Sequence, residues 1–226
     1  MATSTPENTH KQSQWQEVVT DWSADRQVFD MPWGKFMMWV FLLSDTFIFS
    51  IFLVGYMSVR MSTTAEWPNP SEVFALTIAG QHLPLILIAI MTFVLISSSG
   101  TMVLAVNYAY QGNREKACQF MLLTAVLGAS FVGMQIFEWT KLITEEGVRP
   151  WSNSMGAAQF GACFFMITGF HGVHVSAGVI LLLLYGNKLR RGDYENKGYS
   201  IVEIVGLYWH FVDLVWVFIF ALFYLW

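Results

Sequence analysis

The sequence predicts an all-α polytopic membrane protein: a bundle of five transmembrane helices with its N-terminus inside and its C-terminus outside. Three observations carry that prediction. Only 12% of the 226 residues are charged, against about 25% in an ordinary soluble domain. Hydrophobic residues make up 55% of the chain. Long stretches carry few charges or none, and five of them reach the ~20 residues that a helix needs to cross a bilayer. The net charge of −4 is mild, and no basic run suggests a nucleic-acid partner.

The expected helices run over residues 36–59, 82–106, 118–143, 157–186 and 201–226. Between them lie "RMSTTAEWPNPSEVF", with two prolines, "NYAYQGNREK", "TEEGVRPWSNSMG" and "GNKLRRGDYENKGYS", which carry polar and turn-forming residues. Residues 1–35 form a polar N-terminal segment and 36–226 the membrane domain. The first apolar run begins too late for a cleaved signal peptide, so its helix is expected to stay in the mature protein. In the polar segment Trp15, Val18, Val19, Trp22 and Phe29 fall at helical spacing. That pattern suits an amphipathic helix on the membrane surface, and equally a loose tail with chance aromatics.

Basic residues give the orientation. With the N-terminus inside, nine of the 12 fall on the inner side: Lys11, Arg26, Lys35, Arg114, Lys116, Lys188, Arg190, Arg191 and Lys197. Arg60, Lys141 and Arg149 remain outside, where Trp67 and Trp151 suit an interfacial aromatic belt. In the third helix Ala125, Ala129 and Gly133 repeat every four residues, a small-residue stripe for close helix approach. Gly161, Gly169, Gly172 and Gly178 offer the same on the fourth helix. Cys118 and Cys163 are isolated and read as small buried hydrophobes.

The remaining question is what the ionisable residues do at membrane depth. Asp45 lies about 14 Å into the first helix at 1.5 Å per residue. A carboxylate there costs about 2.5–3.5 kcal/mol on insertion scales, so it must face protein, water or a partner. His171 and His174 sit at i and i+3 on the fourth helix, and His210 and Asp213 repeat that spacing on the fifth. Glu203 lies seven residues before His210 on the same face, and Glu138 near the outer end of the third helix. Two chemistries fit such groups. Histidines on facing helices can ligate haem or copper, or the same residues can form a proton relay or hydrogen-bond network. Paired-haem ligation wants two well-separated histidines on each of two helices, and this chain lacks that pattern.

The motifs carry a further message. "TGFHGVHVSAGVILLL" (168–183) followed by "YWHFVDLVWVFIFALFYLW" (208–226) closely resembles the last two helices of subunit III of cytochrome c oxidase. "SSSGTMVLAVNYAYQGNREKA" (97–117), "LGASFVGMQIFEW" (127–139) with its Gln135–Glu138 pair, and "FLLSDTFIFSIFLVGYM" (41–57) resemble its preceding helices. The likeness covers residues 36–226. Longer members have seven helices, so five implies the short bacterial form. The family's mid-membrane carboxylate falls at Asp45, where the mitochondrial type has Glu. Asp at this position looks more like the quinol-oxidase branch, whereas "YWHFVDLVW" looks more like the cytochrome c branch.

The resemblance implies a non-catalytic subunit of a proton-pumping haem–copper terminal oxidase in the bacterial inner membrane. No catalytic or metal-binding residue is expected on this chain, with haem and copper in partner subunits. It implies subunit I as the main contact, subunit II as a second partner, and bound phospholipids. Lys188 and, less directly, Arg191 are the expected headgroup partners. Asp45, Glu138, His171, His174, Glu203, His210 and Asp213 are expected to form an interior polar network or to support proton uptake. The alternatives are a quinol oxidase subunit III, an accessory subunit of a nitric oxide reductase, an independent haem-binding oxidoreductase, or a proton-coupled transporter.

Overall fold

The computed structural model describes residues 32–78, 81–154, 156–192 and 200–225. The proposed amphipathic helix at the N-terminus therefore lies outside the described residues, as does most of the basic connector after residue 192. Among the described residues five long helices are apolar enough to cross a membrane. They are α1 (Trp33–Ser62), α3 (Ile86–Tyr110), α4 (Arg114–Thr144), α5 (Ala158–Arg191) and α6 (Ser200–Phe220), with a short α2 (Pro70–Val73) between the first two. The all-α expectation holds with one addition. Strands β1 (Ala75–Ile78) and β2 (Gln81–Pro84) pair antiparallel, with Ala75 opposite Pro84 and Ile78 opposite Gln81.

That hairpin explains why α3 starts at Ile86 rather than at residue 82. Residues 81–84 are used in strand pairing, and Leu85, at φ 59°, turns the chain into the helix. Asn113 caps α4 by accepting from the Lys116 N–H at 3.2 Å. Gly192, at φ 87°, ends α5 in the left-handed region that favours glycine. Beyond α6 the chain continues as one π-helical turn, Ala221–Leu225, which puts Phe223 and Tyr224 into the core.

Helices α3 to α6 pack closely, and α1 lies against α5 and α6. Trp209 of α6 is the central knob. It enters a hole between Gly128 of α4 and Gly178 of α5, where an added Cβ would stand 2.3 Å and 2.9 Å from the indole. Its N–H donates to Ser98 Oγ at 2.9 Å, and Ser98 in turn donates to the Leu95 carbonyl at 2.6 Å. Trp216 repeats the device one turn pair later, donating to Thr92 Oγ1 at 3.0 Å, which donates to the Ile88 carbonyl at 2.9 Å. Each α3 hydroxyl thus satisfies an indole of α6 while discharging its own proton on its own helix. This completeness is what hydrocarbon surroundings demand.

The packing stripe on α4 differs from the one that a four-residue repeat suggests. Ala129 is exposed and nothing lies within 4 Å of Gly133. The buried residues are Ala117, Cys118, Met121, Thr124, Ala125, Gly128, Phe131, Gln135, Glu138 and Leu142. Four residues turn a helix through more than one full turn, so a strict i+4 series rotates off the face. Alternating steps of three and four stay on it. The glycines of α5 do serve packing: Gly161 faces the Arg149 carbonyl, Gly169 faces Trp139, and Gly172 faces the Gln135 amide.

At the Tyr224 end of the bundle, aromatic rings from the helices and connectors interlock. Tyr56 stacks on Phe223 at 4.0 Å, Phe74 lies 4.4 Å from Tyr224, and Trp67 meets Phe160 edge-on at 5.8 Å. Ala157 donates its N–H to the Glu66 carbonyl at 3.0 Å, joining the two connectors at that end.

Candidate functional site: polar pairs between helices

Six of the seven ionisable residues singled out in the sequence occupy four separate places, each joining different helices. The first joins α1 to α5. Asp45 is buried, and its Oδ2 lies 3.3 Å from His174 Nε2, off the line of a hydrogen bond and without another partner among the described residues. His174 Nδ1 lies 2.8 Å from the Phe170 carbonyl. A carbonyl only accepts, so Nδ1 carries a hydrogen and Nε2 is left to face the acid. With one proton between Nε2 and Oδ2 the contact is attractive; with none, two lone pairs oppose each other. Phe49 and Phe170 pack on the imidazole at 5.5 Å and 4.7 Å, closing the pair off. Tyr208 of α6 adds a third helix by donating to the His174 carbonyl at 2.9 Å.

The second joins α3 to α6. Ser99 donates to Asp213 Oδ2 at 2.6 Å, and His210 Nδ1 lies 3.2 Å from Ser99 Oγ. The serine has one proton and spends it on the carboxyl group, so His210 is the donor to the serine. Asp213 Oδ1 is buried without a hydrogen-bond partner.

The third joins α4 to the C-terminal turn, where Tyr224 OH lies 3.1 Å and 3.4 Å from the two oxygens of buried Glu138. The fourth lies at the opposite end of the bundle. Glu203 pairs with Lys35 of α1 and accepts from Tyr110 OH of α3 at 2.5 Å.

His171 stands apart from His174 despite the shared helix. It is fully buried, with Nε2 3.2 Å from the Val212 carbonyl and its ring between Phe131 and Trp216. The i, i+3 spacing does not bring the two rings to one partner: His174 turns to α1 and His171 to α6. The residues expected as one network are therefore distributed as separate interhelical ties. Sequence reasoning missed Ser99, Tyr110, Tyr208 and Tyr224, which are the neutral halves of these ties. A serine in an apolar helix ordinarily bonds its own backbone, and a tyrosine there reads as one more aromatic packing residue, so neither gives much warning of a cross-helix role.

Lys188 and Arg191 are exposed at the end of α5, with the Lys188 ammonium 5.4 Å from the Tyr185 ring. Nearby, Arg190 and Arg114 border a cavity of about 250 Å³ with Glu115, Cys118 and Gln119. Two larger cavities are apolar. One of about 530 Å³ lies between α1 and α6 and includes His210; the other, about 440 Å³, lies between α4 and α5 beside Gln135 and Trp139. Among the described residues no three His, Cys, Asp or Glu side chains converge as a metal-binding group.

Comparison with known proteins decides the family. The profile of cytochrome c oxidase subunit III matches residues 14–226. The chain belongs to the cytochrome c oxidase subunit III family. It is 32% identical over 194 residues to cytochrome c oxidase subunit 3 of Alkalihalophilus pseudofirmus, covering 85% of this chain and 86% of that one. It is 31% identical over 192 residues to the probable quinol oxidase subunit 3 of Staphylococcus aureus USA300, covering 85% and 88%. Subunit III of a haem–copper oxidase is thus a multi-pass membrane protein here, one that associates with other oxidase subunits. In this subunit III the polar pairs tie helices α1, α3, α4, α5 and α6 across the whole depth of the bundle.

Proposed function

We propose that this subunit III is a non-catalytic, supporting component of a proton-pumping terminal oxidase in a bacterial plasma membrane. It packs against subunit I, while haem, copper and the electron-entry site reside in its partners. The observation that carries this reading is how the histidine nitrogens are used. His171 Nε2 faces the Val212 carbonyl, His174 is held between the Phe170 carbonyl and Asp45, and His210 Nδ1 is committed to Ser99. Each ring is thus fixed through one nitrogen to a neighbouring helix or to its own backbone, and side chains placed in this way hold helices in register. Asp45 and His174 also set a carboxyl group and an imidazole side by side in a buried position, which suits support of proton uptake. Lys188, Arg191 and Arg190 with Arg114 line the end of the bundle that also holds Lys35 and Lys116. That excess of cations favours placing this end at the cytoplasmic face, among phospholipid headgroups.

A relative bearing the name of a quinol oxidase subunit supports quinol as an alternative donor, and another bearing the cytochrome c name supports cytochrome c. Purification through an affinity tag on this chain tests the reading. The expected product contains a haem-bearing subunit and oxidises either reduced cytochrome c or a quinol with consumption of oxygen. Recovery of the chain without any haem protein, from membranes that contain the oxidase, would contradict it.

A further inference from the structure

The groove between α1 and α6 combines an apolar wall with one polar atom that no described residue satisfies. Leu43, Leu214 and Phe218 stand exposed along it, and His210 forms part of its lining. The lining on α6 runs from Leu207 to Phe218, three turns of helix or about 16 Å. His210 lies ten residues from the start of α6, so it is about 15 Å from that end of the membrane span. Its Nδ1 is taken by Ser99, and no hydrogen bond reaches Nε2 among the described residues. Beside it, Asp213 Oδ1 is buried and equally unpartnered.

At that depth the choice of occupant is limited. Hydrocarbon chains fill apolar volume but offer no hydrogen-bonding group in mid-membrane. A neighbouring helix supplies both. We infer that the α1–α6 groove is the seat of a transmembrane helix from another oxidase subunit, which presents a hydroxyl or amide side chain to His210. A neutral side chain of this kind donates to Nε2 when the imidazole is neutral and accepts from it when the imidazole is charged, so it fits either state. The groove needs such cover. Of the 30 residues in α1 only Leu42, Asp45, Phe49 and Tyr56 are buried within this chain. The cavity between α4 and α5 presents a donor only, the buried Trp139 Nε1, unpartnered among the described residues, while its Gln135 already donates to the Thr168 carbonyl at 2.8 Å.

The inference rests on the assembly of this chain with other oxidase subunits, and photocrosslinking in the intact complex tests it. Benzoylphenylalanine replaces Leu214 in one variant and Val173, exposed beside the α4–α5 cavity, in another. After irradiation of native membranes, the complex is isolated through a tag on its haem-bearing subunit. The Leu214 variant should shift in mass by one partner subunit, with the crosslink mapping to a transmembrane segment that has a hydroxyl or amide residue within one turn. A lipid adduct alone at Leu214, no adduct there, or a partner crosslink from Val173 without one from Leu214 would overturn the inference. Absence of the wild-type chain from the tagged complex would instead remove the assembly on which it rests.

Discussion

Gly128→Leu should release α6 from α4 and α5 and strip subunit III from the solubilised oxidase. A Cβ at this position falls 2.3 Å from Trp209 Cη2 and 2.9 Å from both Trp209 Cζ2 and Val179 Cγ2. The indole has nowhere to go. Its N–H is held by Ser98, and its other edge lies against Gly178. Overpacking of this kind typically costs about 1–3 kcal/mol, and a full isobutyl group against a pinned ring belongs at the upper end. Gly133→Leu on the same helix is the matched control, because nothing lies within 4 Å of that position. The ratio of subunit III to its partners after detergent extraction, with the melting temperature of the complex, separates the two. Equal retention of both variants would show that the Trp209 hole does not set the packing.

His174→Leu should damage the bundle more than Asp45→Leu, and the double substitution should recover most of the loss. Removing the imidazole leaves Asp45 with no partner for Oδ2 in a buried position between helices. Removing the carboxyl group leaves His174 still bonded to the Phe170 carbonyl. A buried polar group deprived of its partner costs about 1–3 kcal/mol, whereas exchanging both members for apolar groups of similar shape is close to neutral. In lipid the pair itself is worth less than in water-soluble cores, about 0.6 kcal/mol on average, so the asymmetry carries the information. A double-mutant cycle on the melting temperature measures it. Strict additivity of the two single losses would mean that Asp45 and His174 do not interact.

Much of this architecture is legible in the sequence because lipid imposes a simple rule on long segments. Five apolar runs became five helices, with ends shifted by a few residues at most of the boundaries. The exception before α3 arose from pairing of residues 81–84 as a strand, which no apolar periodicity announces. Asp45, His174, His210 and Asp213 stand out because ionisable groups are rare in such segments, and rarity is a property of composition. Their partners are harder to see. Whether His171 meets α1 or α6 depends on the rotation of α5, and rotation follows from packing with no trace in spacing alone. The α4 stripe shows the same limit: Gly128 and Gly133 are equivalent as letters, yet one receives an indole and the other faces outward. Ser98, Ser99 and Thr92 illustrate the converse, since their value lies in the Trp209, His210 and Trp216 groups opposite them.

The central proposal is that the histidines of this chain tie helices together while the redox centres reside in its partner subunits. Its most direct test is the absorption spectrum of the full chain, purified alone in detergent after expression with haem supplied, beside that of the assembled oxidase. The account predicts a Soret band in the complex and none in the isolated, folded chain. A stoichiometric Soret band in the isolated chain, lost on His171→Phe or His174→Phe, would contradict it.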